Sequence, residues 1–213
     1  MPDQILSAIA VQHFYDSIGR RYDWFESFES KAKLRALQCL SLEPGYWVLN
    51  VGVGTSKGHS RLKAAVEPHG KAFGLDLSRV MLDLTRERSL APLCQADARR
   101  LPFARGTFDR LYAAYVLDLL PYSDLPELLA SFYLLLKPSG RAVFLTLTEG
   151  VDLPSRALVA AWKLVYAISP LACGGCRPLQ LTDLVKQAGF EPIVREVIVQ
   201  LGLPSEIIVA DRR

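Results

Sequence analysis

The most constraining feature of this 213-residue chain is a short apolar run that breaks into paired glycines and restarts as a helix. Trp47-Val48-Leu49-Asn50-Val51 reads as a buried strand. It leads into Gly52-Val53-Gly54-Thr55-Ser56-Lys57-Gly58, and a helical pattern follows from about His59 to Val66. Gly52 and Gly54 let the backbone turn sharply and approach a ligand without side chains in the way. Ala72-Phe73-Gly74-Leu75-Asp76 is the next strand, and its terminal acid stands where it would accept hydrogen bonds from ribose hydroxyls. A dinucleotide loop requires G-x-G-x-x-G to seat a pyrophosphate on the helix N-terminus. Here Lys57 occupies the sixth position and Gly58 falls one place late, and no Gly-Lys-Ser/Thr triplet of a P-loop occurs. The loop suits a nucleoside without phosphates.

The rest of the chain repeats the alternation. Lys31 to Leu40 is helical, and Ser78 caps a helix running to about Arg88. Leu93 to Ala96 and Arg110 to Tyr115 read as strands. A helix over Leu125 to Leu136 then stops at a Lys137-Pro138-Ser139-Gly140 turn before strand Ala142 to Thr148. A helix near Leu181 to Ala188 has Gly189 in its C′ position. Ile193 to Val199 and Glu206 to Ala210 follow with no helix between them, so they pair as a hairpin. The expected fold is α/β: a doubly wound, Rossmann-like, mostly parallel sheet with an antiparallel C-terminal hairpin. The expected organisation is an N-terminal helical cap (1–42), a nucleoside-binding core (43–150), a cover insertion (151–179), and a final helix and hairpin that complete the core (180–213).

Composition removes other classes. Half of the residues are hydrophobic and 22% are charged, enough for a packed core and too apolar for a disordered chain. The net charge of +3 has no lysine- or arginine-rich block behind it, which argues against a nucleic-acid face. Four cysteines do not make a disulfide scaffold. The segment Met1 to Ala10 has no basic region before its apolar residues, so no signal peptide is expected and the chain reads as cytoplasmic. Leu153 to Ala172 is rich in apolar residues, but Arg156, Lys163 and Pro170 interrupt it. A spanning helix needs roughly 20 mostly apolar residues, so a lid or interfacial helix is the expectation, with peripheral membrane or lipophilic contact left open.

At this level of detail the chain resembles a family. Val48-Leu49-Asn50-Val51-Gly52-Val53-Gly54-Thr55 is similar to the first motif of class I S-adenosylmethionine-dependent methyltransferases. Gly74-Leu75-Asp76-Leu77-Ser78 with Met81-Leu82 is similar to their second. Gln95-Ala96-Asp97-Ala98, Leu101-Pro102-Phe103 and Phe108-Asp109 resemble the third region, and Leu135 to Arg141 the turn into the fifth strand. Phe14 to Asp23 resembles the segment preceding the domain in the ubiquinone/menaquinone-biosynthesis subgroup. The resemblance implies S-adenosyl-L-methionine as cofactor, held by Tyr22, Asn50, Gly52, Gly54, Thr55, Asp76, Leu77, Met81, Asp97, Ala98 and Tyr115. In that picture Asp76 takes the ribose, Asp97 the adenine amino group, and Tyr22 closes over the methionine end. Two positions depart from the pattern: Asn50 replaces the usual acid and Ser56 a usual glycine.

The acceptor is less legible. A small, largely apolar molecule, quinone- or lipid-like, is expected from Leu158, Val159, Trp162, Val165 and Tyr166, which recur at helical spacing. Tyr15, Tyr115, Trp162 and Arg177 are the candidate substrate residues, with Arg177 placed to hold an anionic head. Tyr115 reads equally as a core tyrosine. Asp118 reads as a helix cap or a base, with the cap preferred. Cys173-Gly174-Gly175-Cys176 lacks further metal ligands, so no metal is expected, and His13, His59 and His69 take no role. The alternatives are a non-catalytic cofactor-binding module and a nicotinamide-dependent oxidoreductase, the latter disfavoured by Lys57 in the loop.

Overall fold

The computed structural model describes residues 6–26, 29–55 and 57–213. Helices α1 (Ala8–Ile18), α2 (Tyr22–Glu26) and α3 (Ser30–Cys39) precede the first strand, β1 (Trp47–Val51). The chain then alternates through α4 (Lys57–Val66), β2 (Lys71–Asp76), α5 (Arg79–Arg88), β3 (Leu93–Gln95) and β4 (Phe108–Ala114). Next come α6 (Leu125–Leu135), β5 (Leu136–Leu147), α7 (Leu153–Ile168), α8 (Thr182–Gln187), β6 (Glu191–Gln200) and β7 (Leu203–Asp211). The seven strands form one sheet in the order β3-β2-β1-β4-β5-β7-β6. The first five are parallel, and β7 runs antiparallel to both β5 and β6. This is the doubly wound sheet with an antiparallel end that the sequence pattern predicts. Strand order reverses between β1 and β4, which puts the ligand crevice at their carboxyl ends.

Two apolar layers cover the sheet, and strand periodicity sorts side chains between them. Leu49 and Val51 of β1 face α6 and α8, where Phe132 stacks on Phe144 at 6.2 Å. Val48 faces the opposite layer with Ala32 and Ala36 of α3 and Leu62 and Val66 of α4. Asn50 follows Val48 by two and so falls on the α3/α4 side.

One element differs from expectation. The Lys137–Gly140 turn is incorporated in the start of β5, which abuts α6 directly. The β4–β5 register jumps from Phe108↔Leu136 to Arg110↔Arg141, leaving these four residues in a bulge. The bulge is tied to the chain end instead, through Ser139 N–H to the Arg212 carbonyl (2.9 Å) and Arg212 N–H to the Gly140 carbonyl (2.8 Å).

Helices α1 and α2 lie over the carboxyl ends of the strands and are fastened to α5 by polar links, while α3 packs on the sheet face. Asp16 accepts hydrogen bonds from the Ser78 hydroxyl and, at 3.4 Å, from Val80 N–H. Arg20 pairs with Glu87. Asp23 takes both guanidinium nitrogens of Arg88 (2.6 and 3.1 Å) and the Thr55 hydroxyl. The Arg88 guanidinium holds the Asp23 carboxyl down at about 2. Among the described residues no helix is long and apolar enough to cross a membrane.

Candidate active site

The loop after β1 is shaped by two glycines in left-handed conformations, Gly52 (φ 72°) and Gly54 (φ 57°). A Cβ on Gly52 would stand 2.2 Å from Val116 Cγ2, so no other residue fits there. Gly52 and Val53 both donate to the Leu75 carbonyl (2.8 and 3.0 Å), binding the loop to the end of β2. Asp76 completes the tie. One carboxylate oxygen accepts Gly54 N–H at 3.0 Å and the other Ser78 N–H at 2.9 Å. Each oxygen keeps a lone pair for an outside donor, a match to two adjacent ribose hydroxyls. Desolvation, only partly offset by these hydrogen bonds, raises the Asp76 carboxyl to about 6.

A cavity opens above this loop, and a second lies beside it. Counted out through their open mouths, the first spans about 880 Å³ and the second about 790 Å³. The first is lined by Gly52, Gly54, Asp76, Leu77, Met81, Asp97, Ala98, Tyr22 and Tyr115, which brings nine of the expected cofactor residues together. Arg99 chelates Asp97 through Nε and Nη2 (3.0 and 2.7 Å) and depresses its carboxyl. The second cavity is lined by Phe14, Ile18, Glu29, Leu147, Trp162, Cys173, Cys176 and Leu203. Tyr15, Tyr22 and Tyr115 line both.

Tyr115 is pinned in an unusual geometry. The residue has φ 53°, rare for a bulky side chain, and donates its N–H to the Leu145 carbonyl at 2.7 Å. Its hydroxyl meets Ser205 Oγ at 2.7 Å. Burial pushes the Tyr15 and Tyr115 phenols well above the usual tyrosine range, so both stay neutral.

Four expected residues sit elsewhere. Asn50 lines neither cavity; its amide meets His59 Nδ1 at 3.4 Å beneath α4, the side on which strand alternation leaves it. Burial alone lowers that imidazole to about 4. Thr55 turns its hydroxyl to Asp23 and serves the cap, not the cavity. Arg177 lines neither cavity: it donates to the Asp118 carbonyl from both its N–H and Nη1 (3.2 Å each). Asp118 is not a cap. It lies within the turn Leu117–Leu119, fully buried, and accepts Leu147 N–H at 3.3 Å. Burial raises its carboxyl to about 7. On α7 only Val159 of the expected apolar stripe is buried, and Trp162 reaches the second cavity with its Nε1 on the Cys176 carbonyl (2.9 Å).

Sequence reasoning missed the polar corner of the second cavity. Glu29 lines it, and Lys33 Nζ lies 2.9 Å from Glu29 Oε2 and over the rings of Tyr22 (5.3 Å) and Tyr115 (5.5 Å). The i,i+4 spacing of the pair was visible, but the same spacing describes any solvated ion pair. Among the described residues no cluster of three or more metal-ligating side chains occurs.

The sheet order, the glycine loop and Asp76 together define a Rossmann-like methyltransferase fold, as the motif resemblance implies. Comparison with known proteins agrees: residues 48–140 match the methyltransferase domain family. The chain is similar to a demethylmenaquinone methyltransferase of Desulfitobacterium hafniense, 30% identical over 67% of this chain and 60% of that protein. It is also similar to a ubiquinone/menaquinone biosynthesis C-methyltransferase of Ralstonia nicotianae, at 23% identity over 95% of this chain and 88% of that protein. The first two curated relatives are thus matched over only 60% and 63% of their own length. The solved structure of an S-adenosylmethionine-dependent methyltransferase from Thermotoga maritima superposes with a TM-score of 0.71. It covers 95% of this chain and all of that one at 19% identity, a likeness of fold.

Proposed function

We propose that the chain transfers a methyl group from S-adenosylmethionine to a small, largely apolar acceptor of quinol or lipid-like character. One observation carries the reading: the cavity built on Gly52, Gly54 and Asp76 and the apolar cavity beside it meet at the same three side chains, Tyr15, Tyr22 and Tyr115. Methyl transfer needs donor and acceptor held in line at about 3 Å, and a shared wall between two cavities supplies that alignment.

When bound, S-adenosylmethionine supplies an electrophilic methyl group on a sulfonium. The residues present fit it. Asp76 offers two acceptors to the ribose, and Met81, Leu77 and Ala98 give an apolar slot beside Asp97 for the adenine. The aromatic walls of Tyr15, Tyr22 and Tyr115 suit a cationic centre. The second cavity offers Phe14, Ile18, Leu147, Trp162 and Leu203 to the acceptor, a lining that favours apolar rings or chains over charged polymers. The curated relatives, methyltransferases of menaquinone and ubiquinone biosynthesis, support the same acceptor class. Exposed Leu164 (69%) and Ile168 (85%) on α7 support delivery of such a molecule from a lipid surface.

The test has two arms. Calorimetry should show binding of S-adenosylhomocysteine and none of NADH; binding of NADH alone would overturn the reading. Labelled-methyl transfer should then reach hydroquinols, phenols or lipids. Transfer confined to RNA or peptide pools contradicts the apolar acceptor.

A further inference from the structure

Inside the apolar second cavity one acidic side chain stands out. Glu29 lines the wall, its side chain only 16% exposed, and its Oε2 lies 2.9 Å from the Lys33 ammonium, itself 18% exposed. Lys33 does not float free: its ammonium lies over the faces of Tyr22 and Tyr115, two of the three residues shared with the donor cavity. Tyr15, Tyr115 and Cys176 line the same cavity as Glu29. The other groups at hand are poor proton acceptors. Tyr15, Tyr115 and Cys176 are held protonated by burial, and Asp118 lines neither cavity. A carboxylate held beside a cation in an apolar cavity can accept a proton from a neutral donor placed against it.

We infer that Glu29 is the general base for a hydroxyl-bearing aromatic acceptor, a phenol or hydroquinol, and that Lys33 is the residue that positions and charges it. This rests on the methyltransferase reading above and adds the acceptor's recognition group. In the step, the acceptor hydroxyl gives its proton to Glu29. The oxygen's electron pair, or the ring carbon ortho to it through conjugation, forms the bond to the methyl carbon. The carbon–sulfur bond breaks with its pair left on sulfur. Transfer to oxygen closes there with Glu29 protonated. Transfer to carbon restores the aromatic ring by loss of the ring proton to solvent, and the carbonyl oxygen recovers the proton held by Glu29. Neither route needs an oxidant or reductant.

The experiment uses the full chain with saturating S-adenosylhomocysteine and 4-nitrophenol, whose neutral and ionised forms absorb at different wavelengths. The wild type should bind the neutral phenol, because its hydroxyl donates to Glu29. Glu29→Gln removes the acidic charge and leaves Lys33, so the bound form should change to phenolate, with the ratio of phenolate to phenol affinities rising by at least about tenfold. Lys33→Met should weaken binding of the neutral phenol, and Lys33→Arg should restore it. Equal weakening of both forms in Glu29→Gln would show a merely structural role and overturn the inference. So would absence of 4-nitrophenol binding in a protein that still binds S-adenosylhomocysteine. Failure to bind S-adenosylhomocysteine at all would strike the methyltransferase reading instead.

Discussion

Asp76 gives the donor site a pH dependence that can be worked from its surroundings. Burial raises its carboxyl from 3.8 to about 6, while the backbone N–H groups of Ser78, Gly54 and Leu77 favour the ionised form, the first two through hydrogen bonds of 2.9 and 3.0 Å. Ribose hydroxyls donate best to the carboxylate, so binding selects the ionised state. At pH 5 roughly a tenth of Asp76 is ionised and at pH 8 nearly all of it, so affinity for S-adenosylhomocysteine should rise up to about tenfold, ~1.4 kcal/mol, between those values. Asp76→Asn keeps at most one of the two backbone contacts, since its amide nitrogen cannot accept the other N–H. It should bind about 1.5–3 kcal/mol more weakly at pH 8 and lose the pH slope. Equilibrium dialysis with labelled S-adenosylhomocysteine at pH 5, 6, 7 and 8 reads both effects. A flat profile in the wild type, or the same slope in Asp76→Asn, would refute the role given to this carboxylate.

Other outcomes follow from the same geometry. Between pH 4 and 7 buried Asp118 keeps a proton that the unfolded chain has lost, so stability falls as pH rises through that window, by about 4 kcal/mol in all. Asp118→Asn retains the acceptor for Leu147 N–H without the charge, and denaturant titrations should show its advantage growing by about 3 kcal/mol from pH 5 to pH 8; a constant gap contradicts this. Gly52→Ala combines a left-handed backbone with a methyl 2.2 Å from Val116, and thermal unfolding should show a loss of about 2–5 kcal/mol. Asp23, held at about 2 by Arg88, contributes stability that is present above pH 4 and lost as pH falls toward 2. Because the pair is partly exposed, Asp23→Asn should cost about 1–2 kcal/mol, and hydrogen exchange should quicken in α1 and α2 before the sheet. Uniform exchange would contradict the fastening of the cap to α5.

The parts legible in the sequence are those fixed by local rules. Strand β1 ends at the predicted glycines, Ser78 caps α5, and the last two strands pair because nothing lies between them. Asp76 and Asp97 reach the cavity because each follows a parallel strand end in the switch-point geometry. Long-range placement was not legible. Asn50 carried the family position of an acid, yet period-two alternation aims it at His59, and Gly74 makes the room: a Cβ there would stand 3.0 Å from the His59 ring. Arg177 read as a free cation, but the fold spends it on the Asp118 backbone. Glu29 and Lys33 lie on the N-terminal cap, and only tertiary packing brings them against Tyr22 and Tyr115.

The most direct measurement is a crystal structure of the chain with S-adenosylhomocysteine. The ribose hydroxyls should lie within hydrogen-bond distance of Asp76, the adenine amino group beside Asp97, and the sulfur should face Tyr15, Tyr22 and Tyr115 toward the second cavity. A sulfur turned away from those three side chains, or a nucleoside bound away from the Gly52–Gly54 loop, would contradict this placement.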